Sequence, residues 1–271
     1  ILHHRSIVWH LPIWFPYLYL CLTQELLTKT FDNFVKHLWH LLVSIELSFK
    51  IIHSYDMSTF CRYAFYYMPA QNSELELFGE QWLGWSLRSG CVIKSANITD
   101  RKSFIEAPQK YGFHGTLKPP FRLAGSTTLH QLVNEARLLC RSIKPFKRPS
   151  LSISKLGRFL ALTPVNRSSE LCSLAETLVI ELDHFRSIPT KDELEKRRMV
   201  GLSRIQDKLL LEWGYPYVLD EFRFHLTLSG QVNNQQADTL KRELNDALTP
   251  ECLAEEVVSS VGLVGEGDDG R

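Results

Sequence analysis

Between Ile1 and Asp56 the chain has no glycine, no alanine and no methionine. Such a gap departs sharply from average usage, in which glycine and alanine are among the commonest residues. The same stretch holds six of the ten histidines, and the first methionine is Met57. The simplest account is that translation begins at Met57 and that residues 1–56 are a non-native upstream extension. A membrane-associated segment is the rival. Residues 6–24 contain no Lys, Arg, Asp or Glu and just reach the length of a bilayer span. His10, Pro12 and Pro16 interrupt that run, and no small-residue cleavage site follows to make it a signal peptide. Residues 25–49 could instead add an amphipathic helix.

Other absences exclude whole classes of function. The six cysteines are scattered without a Cys-x-x-Cys, which argues against a disulfide framework. They read as small buried hydrophobes in a reducing compartment, with the cytoplasm as the expected location. A net charge of +1 excludes a strongly basic nucleic-acid binder and an acidic-tail protein. The sequence has no Gly-x-Ser-x-Gly turn, so a serine-hydrolase elbow has no support. What remains is an ordinary soluble composition, 44% hydrophobic and 23% charged, with ample material for a core.

The informative presence is a duplication. Phe113-His114-Gly115-Thr116-Leu117 recurs as Phe224-His225-Leu226-Thr227-Leu228. Side chains alternate across a strand, so His114, Thr116 and Lys118 are expected on one face, with Phe113 and Leu117 opposite. In the second copy Arg223, His225, Thr227 and Ser229 share a face, with Phe222, Phe224, Leu226 and Leu228 behind them. Two strands each offering an imidazole, a hydroxyl and a cation suit a phosphate group with a proton acceptor on one side and a donor on the other. A metal site is disfavoured, because two histidines are too few ligands and no Cys or carboxylate stands at ligand spacing on either face.

Around these motifs the pattern mixes strands and helices. Residues 62–67 read as a strand, 74–87 as a helix, and 111–118 as the first motif strand, closed by Pro119-Pro120. A helix over 129–143 is capped by Thr128. A hairpin follows, 151–155 and 159–163 about Leu156-Gly157-Arg158. A second helix spans 168–185, and a capping box at Thr190 and Glu193 opens a third that runs toward Trp213. Residues 222–229 form the second motif strand, 235–248 a helix and 257–264 a last strand. The Gly- and Asp-rich residues 265–271 read as a disordered tail. The element order is a weak internal repeat within residues 57–264. It implies an α+β fold of two similar lobes, with mainly antiparallel sheets lining a central cleft and helices outside.

Paired His-x-Thr motifs on such a fold resemble the two-histidine (2H) phosphoesterase superfamily, which includes RNA 2′,3′-cyclic phosphodiesterases and 2′–5′ RNA ligase-like proteins. Arg62-Tyr63-Ala64-Phe65-Tyr66-Tyr67, the run Tyr111 to Phe121, Trp213-Gly214-Tyr215-Pro216-Tyr217-Val218 and the run Asp220 to Leu228 are similar to one bacterial subgroup. Its members are often encoded beside carbon–phosphorus lyase genes and assigned to phosphonate metabolism. The resemblance covers residues 62–231. It implies that His114 and His225 share acid–base work and that Thr116 and Thr227 hold phosphate oxygens. The chemistry itself needs one proton taken from water and one delivered to the leaving sugar oxygen, and imidazole suits both tasks. Lys118 and Arg223 are candidates for further charge neutralisation, and a solvated strand-end cation is the plainer alternative for each. No metal or other cofactor is called for. The expected partner is a small cyclic phosphate of ribose or a nucleoside. An RNA end is the neighbouring alternative, and no stable membrane partner is expected. A non-catalytic phosphate-binding or accessory role remains the non-enzyme reading.

Overall fold

The aromatic alternation of residues 62–67 sets the middle of the molecule. In the computed structural model, which describes residues 48–51, 60–94 and 98–267, this run is a strand with Tyr63, Phe65 and Tyr67 packed into the main core. Ala64, Tyr66 and Met68 turn to the other face. In chain order the described strands are β1 (Ser48–Ile51), β2 (Arg62–Tyr67), β3 (Trp85–Ser86), β4 (Cys91–Val92), β5 (Gly115–Phe121) and β6 (Phe146–Arg148). They continue with β7 (Leu151–Leu156), β8 (Phe159–Pro164), β9 (Leu226–Thr227), β10 (Glu256–Val258) and β11 (Ser260–Glu266). Seven of them form one sheet in the order β1-β11-β2-β5-β9-β8-β7. Every neighbouring pair is antiparallel except β1 with β11.

The fold is therefore α+β with mainly antiparallel strands, as the mixed pattern implied. The two motif strands come together by direct pairing. The two motif strands, β5 and β9, are hydrogen-bonded neighbours in a single continuous sheet. Helices Leu129–Ser142, Ser169–Glu181 and Asn234–Ala247 lay their apolar residues against one face of it, Leu132, Ala136, Leu174, Leu178 and Leu240 among them. The opposite face is left for the site.

Several boundaries shift for identifiable reasons. The helix expected over 74–87 stops at Leu83, because Gly84 takes a left-handed conformation (φ 69°) and Trp85 opens β3. The long third helix is two helices, Lys191–Arg198 and Arg204–Trp213, each opened by its own capping box. β5 runs through Pro119 and Pro120 rather than ending before them. Neither proline has a ladder partner, so the missing N–H groups cost nothing there. The second motif strand shrinks to Leu226–Thr227, because Leu228 and Ser229 both donate their N–H to the Leu160 carbonyl and the ladder ends.

The last strand is split at Ser259 into β10 and β11, and β11 continues through Gly265 and Glu266, the start of the stretch expected to be disordered. β1 lies inside the compositionally odd 1–56 stretch, and with it the end of the helix expected over 25–49. The rest of that helix, the membrane-anchor reading and the end of the tail fall outside the described residues. Among the described residues no helix is long and apolar enough to cross a membrane. Among the described residues five cysteines are free; Cys140 and Cys252 are buried as expected, but Cys61 and Cys91 are exposed.

Candidate active site

The single difference between the two motif copies, Gly115 against Leu226, is explained where they meet. These two residues are the paired positions of β5 and β9. A Cβ on Gly115 would lie 2.6 Å from Cε2 of Phe224, whose ring belongs to the second motif. Only glycine lets that ring close over the strand. One step either way in this antiparallel register sets Thr116 across from His225 and His114 across from Thr227, all on the face away from the helices. Burial alternates as the pattern required, with Phe222, Phe224, Leu226 and Leu228 buried behind the site.

Both imidazoles are held in the same way. His114 Nδ1 lies 3.0 Å from the carbonyl of Gly112, and His225 Nδ1 lies 2.8 Å from the carbonyl of Arg223, each two residues upstream. A carbonyl only accepts, so each ring carries its proton on Nδ1 and leaves Nε2 as an unprotonated acceptor. Gly112 reaches its position through a left-handed backbone (φ 69°). The Thr116 hydroxyl then donates to His114 Nε2 at 3.1 Å. Burial pushes the His114 pKa down to about 4; the bond to Gly112 opposes the shift and the charge of His225 adds to it. Burial also lowers His225, against its bond to the Arg223 carbonyl. At neutral pH both rings are uncharged.

Beside them lies a cleft of about 520 Å³. Thr116 and Phe159 line it from the sheet, Arg223 and His225 from the segment leading into β9, and Gln206, Tyr215, Tyr217 and Glu221 from the segments beyond. Its size is that of a small-molecule site. The Gln206 amide donates to Glu221 at 2.8 Å and ties the outer wall together. His114 and Thr227 are half-buried on the same face but are not among the lining residues. Tyr66 stacks on His114, and its phenol lies near those of Tyr111 and Tyr215. His114 is thereby linked to the cleft through an aromatic wall.

The expected position of Lys118 is not met. The register between β2 and β5 shifts, with Thr116 opposite Tyr66 but Lys118 opposite Phe65, so one extra β5 residue is inserted. That bulge turns Lys118 to the helix-covered face. Its ammonium donates to the Val179 carbonyl at 3.0 Å and stands 3.8 Å from Asp183. Burial lowers its pKa to about 8, with Asp183 opposing the shift. Ser229, expected on the chemical face, is also buried, where its hydroxyl accepts from the Leu160 N–H at 2.9 Å. Arg223 does reach the cleft. Tyr66, Phe159, Tyr215, Tyr217, Gln206 and Glu221 were missed by motif reasoning. Alternation along residues 62–67 would have put Tyr66 on the face of Ala64, but nothing in the pattern marked that face as chemical. Among the described residues no group of three or more His, Cys, Asp or Glu side chains converges to hold a metal ion.

Comparison with known proteins gives the chain relatives. The profile of a family described as "Protein of unknown function (DUF1045)" matches residues 116–271, more than half of the chain. A protein of Janthinobacterium sp. (strain Marseille) named "Ribose 1,5-bisphosphate phosphokinase PhnN" is 35% identical over 184 residues, which is 66% of this chain and 41% of that protein. One of the same name from Laribacter hongkongensis (strain HLHK9) is 31% identical over 176 residues, 64% of this chain and 40% of that protein. The chain spans about two fifths of the length of these curated relatives.

Proposed function

The chain belongs to the DUF1045 family, and we propose that it hydrolyses a cyclic phosphodiester of a ribose-type substrate by two-histidine acid–base catalysis, within phosphonate metabolism. The observation that carries the reading is the matched pair of imidazoles. Each is pinned at Nδ1 by a backbone carbonyl at the entry to one of two paired strands; His225 lines the cleft, and His114 lies next to Thr116, which lines it too. Such preorganisation is what proton transfer at two points of one phosphate requires. It also fits the 2H phosphoesterase resemblance.

In this scheme the substrate anion enters beside two neutral imidazoles. Its negative charge favours protonation of one of them, so binding takes up a proton. The neutral imidazole accepts a proton from water as the water oxygen bonds to phosphorus. The bond from phosphorus to the sugar oxygen breaks, and the imidazolium delivers its proton to that oxygen. The product is a phosphomonoester with a free hydroxyl, and one water has been consumed. Arg223 and the Thr116 hydroxyl, which line the cleft, serve the non-bridging oxygens, and Thr227 reaches them from beyond its lining.

The kinase named in the relatives belongs to proteins more than twice as long as the matched segment. A Gly-x-x-x-x-Gly-Lys phosphate loop is absent from these 271 residues. What does carry over is the substrate class, a ribose bearing phosphate. The aromatic residues Phe159, Tyr215 and Tyr217 favour a second reading, in which the sugar carries a base that stacks in the cleft.

The test is a ³¹P NMR assay of the chain with ribose cyclic phosphates and with nucleoside 2′,3′-cyclic phosphates. Conversion of a cyclic diester to a monoester supports the proposal, and the preferred substrate separates the two readings. Binding without conversion would make the protein a phosphate-binding module, and neither binding nor conversion would leave an accessory role.

A further inference from the structure

The two histidines are copies in sequence but not in surroundings. We infer that Tyr66 is a positioning residue that clamps His114 as the proton acceptor of the cleft, with Nε2 turned toward Thr116. The inference rests on the reading of His114 as an acid–base group. Register brings the two residues together: Tyr66 on β2 stands opposite Thr116 on β5. Its side chain therefore rises on the cleft face beside the first motif. The phenol ring lies flat on the imidazole, with centroids 3.6 Å apart and planes 15° from parallel. Tyr111 closes the ring edge-on at 6.2 Å and 90°. His114 is thus fixed by a carbonyl at Nδ1, a hydroxyl at Nε2 and an aromatic cover on its face. His225 has the carbonyl alone in common, and its nearest aromatic, Phe159, is tilted at 54° with centroids 5.6 Å away.

The stack has a chemical consequence. A ring covered on its face loses the water that would solvate an imidazolium, and the neutral form is favoured. The other groups that face this pair are His225, just before β9, and, around the Tyr66 phenol, Glu266, Arg62, Tyr215 and Tyr111. Arg62 and Glu266 neutralise each other as an ion pair. The phenol stays protonated, because burial raises its pKa well above the ordinary value. Tyr66 is therefore a neutral cover and not a counter-ion. It contrasts with a merely structural aromatic, which would hold the sheet without any selective effect on one histidine.

The experiment titrates both imidazoles by NMR in the full chain, using ¹⁵N-labelled histidine, for the wild type, Tyr66→Phe and Tyr66→Leu. His225 serves as the internal control. In wild type and Tyr66→Phe, His114 should titrate near 4. In Tyr66→Leu it should rise by about one unit or more toward the ordinary value near 6.5, while His225 stays in place. Where a cyclic phosphate is turned over, Tyr66→Leu should lower kcat by about tenfold or more with KM little changed, and Tyr66→Phe should keep most of the rate. Should Tyr66→Leu fail to fold, Tyr66→Met fills the space without a ring and carries the same outcomes. An unmoved His114, equal shifts of both histidines, or Tyr66→Phe behaving like Tyr66→Leu would each overturn the clamp. A selective shift in a protein that turns over no cyclic phosphate would sink the phosphodiesterase reading and leave the clamp standing.

Discussion

Replacing Gly115 by alanine tests how the two motifs are locked together. The added Cβ would sit 2.6 Å from Phe224 Cε2, 2.9 Å from its Cζ and 3.3 Å from Leu226 Cδ2, so the Phe224 ring has to move. That ring is only 7% exposed and packs edge-on against Tyr67 at 5.2 Å, which leaves it little room. Overpacking of a filled core costs about 1–3 kcal/mol. For a domain of this size that is a fall in Tm of roughly 2–12 °C. Shortening the obstacle alone, Phe224→Leu, should cost about 1–2 kcal/mol through the cavity it leaves. Combined, the two changes should cost less than their sum by about 1–2 kcal/mol, because the leucine vacates the space that the new methyl needs. Urea unfolding of the four proteins gives the coupling directly. Strict additivity would mean that Phe224 does not set the need for glycine at position 115, and the steric account of the motif difference would fail.

Other outcomes follow from the site. Lys118→Met should change stability by about 1–3 kcal/mol, since a buried ion pair and a bond to Val179 are lost, yet leave kcat/KM within about twofold; a large rise in KM would return Lys118 to the phosphate. Arg223→Ala should raise KM by roughly tenfold with the fold intact, as checked by thermal melting, the scale of one charged hydrogen bond to phosphate. In the proposed scheme His114 is neutral and His225 takes up a proton as substrate binds, so kcat/KM should fall as pH drops through about 4 and again as pH rises above the lowered pKa of His225. Its optimum then lies on the acid side of 6.5, the ordinary histidine value. The upper limb of kcat should stand at higher pH, because bound phosphate favours the imidazolium; identical limbs for kcat and kcat/KM would contradict the proton uptake.

Much of this arrangement is legible from residues 113–117 and 224–228, because alternation alone separates the buried Phe and Leu positions from the His and Thr positions. The motifs could not show that their strands are adjacent, since pairing is a long-range choice made by Gly115 and Phe224 together. Lys118 was misplaced by a period-two argument that assumed an unbroken ladder, and a single bulge opposite Phe65 reverses its face. Ser229 was misplaced for a similar reason at the end of the strand. Capping residues were read well: Thr128 and Thr190 both close capping boxes, because that chemistry is local. Tyr66, Tyr215 and Glu221 lie in the runs that carry the resemblance, yet alternation and motif spacing give them no role; the Gly214–Glu221 segment brings Tyr215 and Glu221 to the cleft, and sheet order sets Tyr66 on His114.

The most direct test of the central claim compares turnover of a cyclic phosphate by the wild type, His114→Ala, His225→Ala and the double variant, followed by ³¹P NMR with and without a chelator. Each single change should lower kcat by about 10²–10⁴-fold, the scale of a positioned proton-transfer group. The double change should cost far less than the product of the two, because the pair acts as one unit. Chelation should leave the rate unaltered. Full activity in either histidine variant, or activity lost to a chelator and restored by a divalent ion, would contradict the two-histidine account.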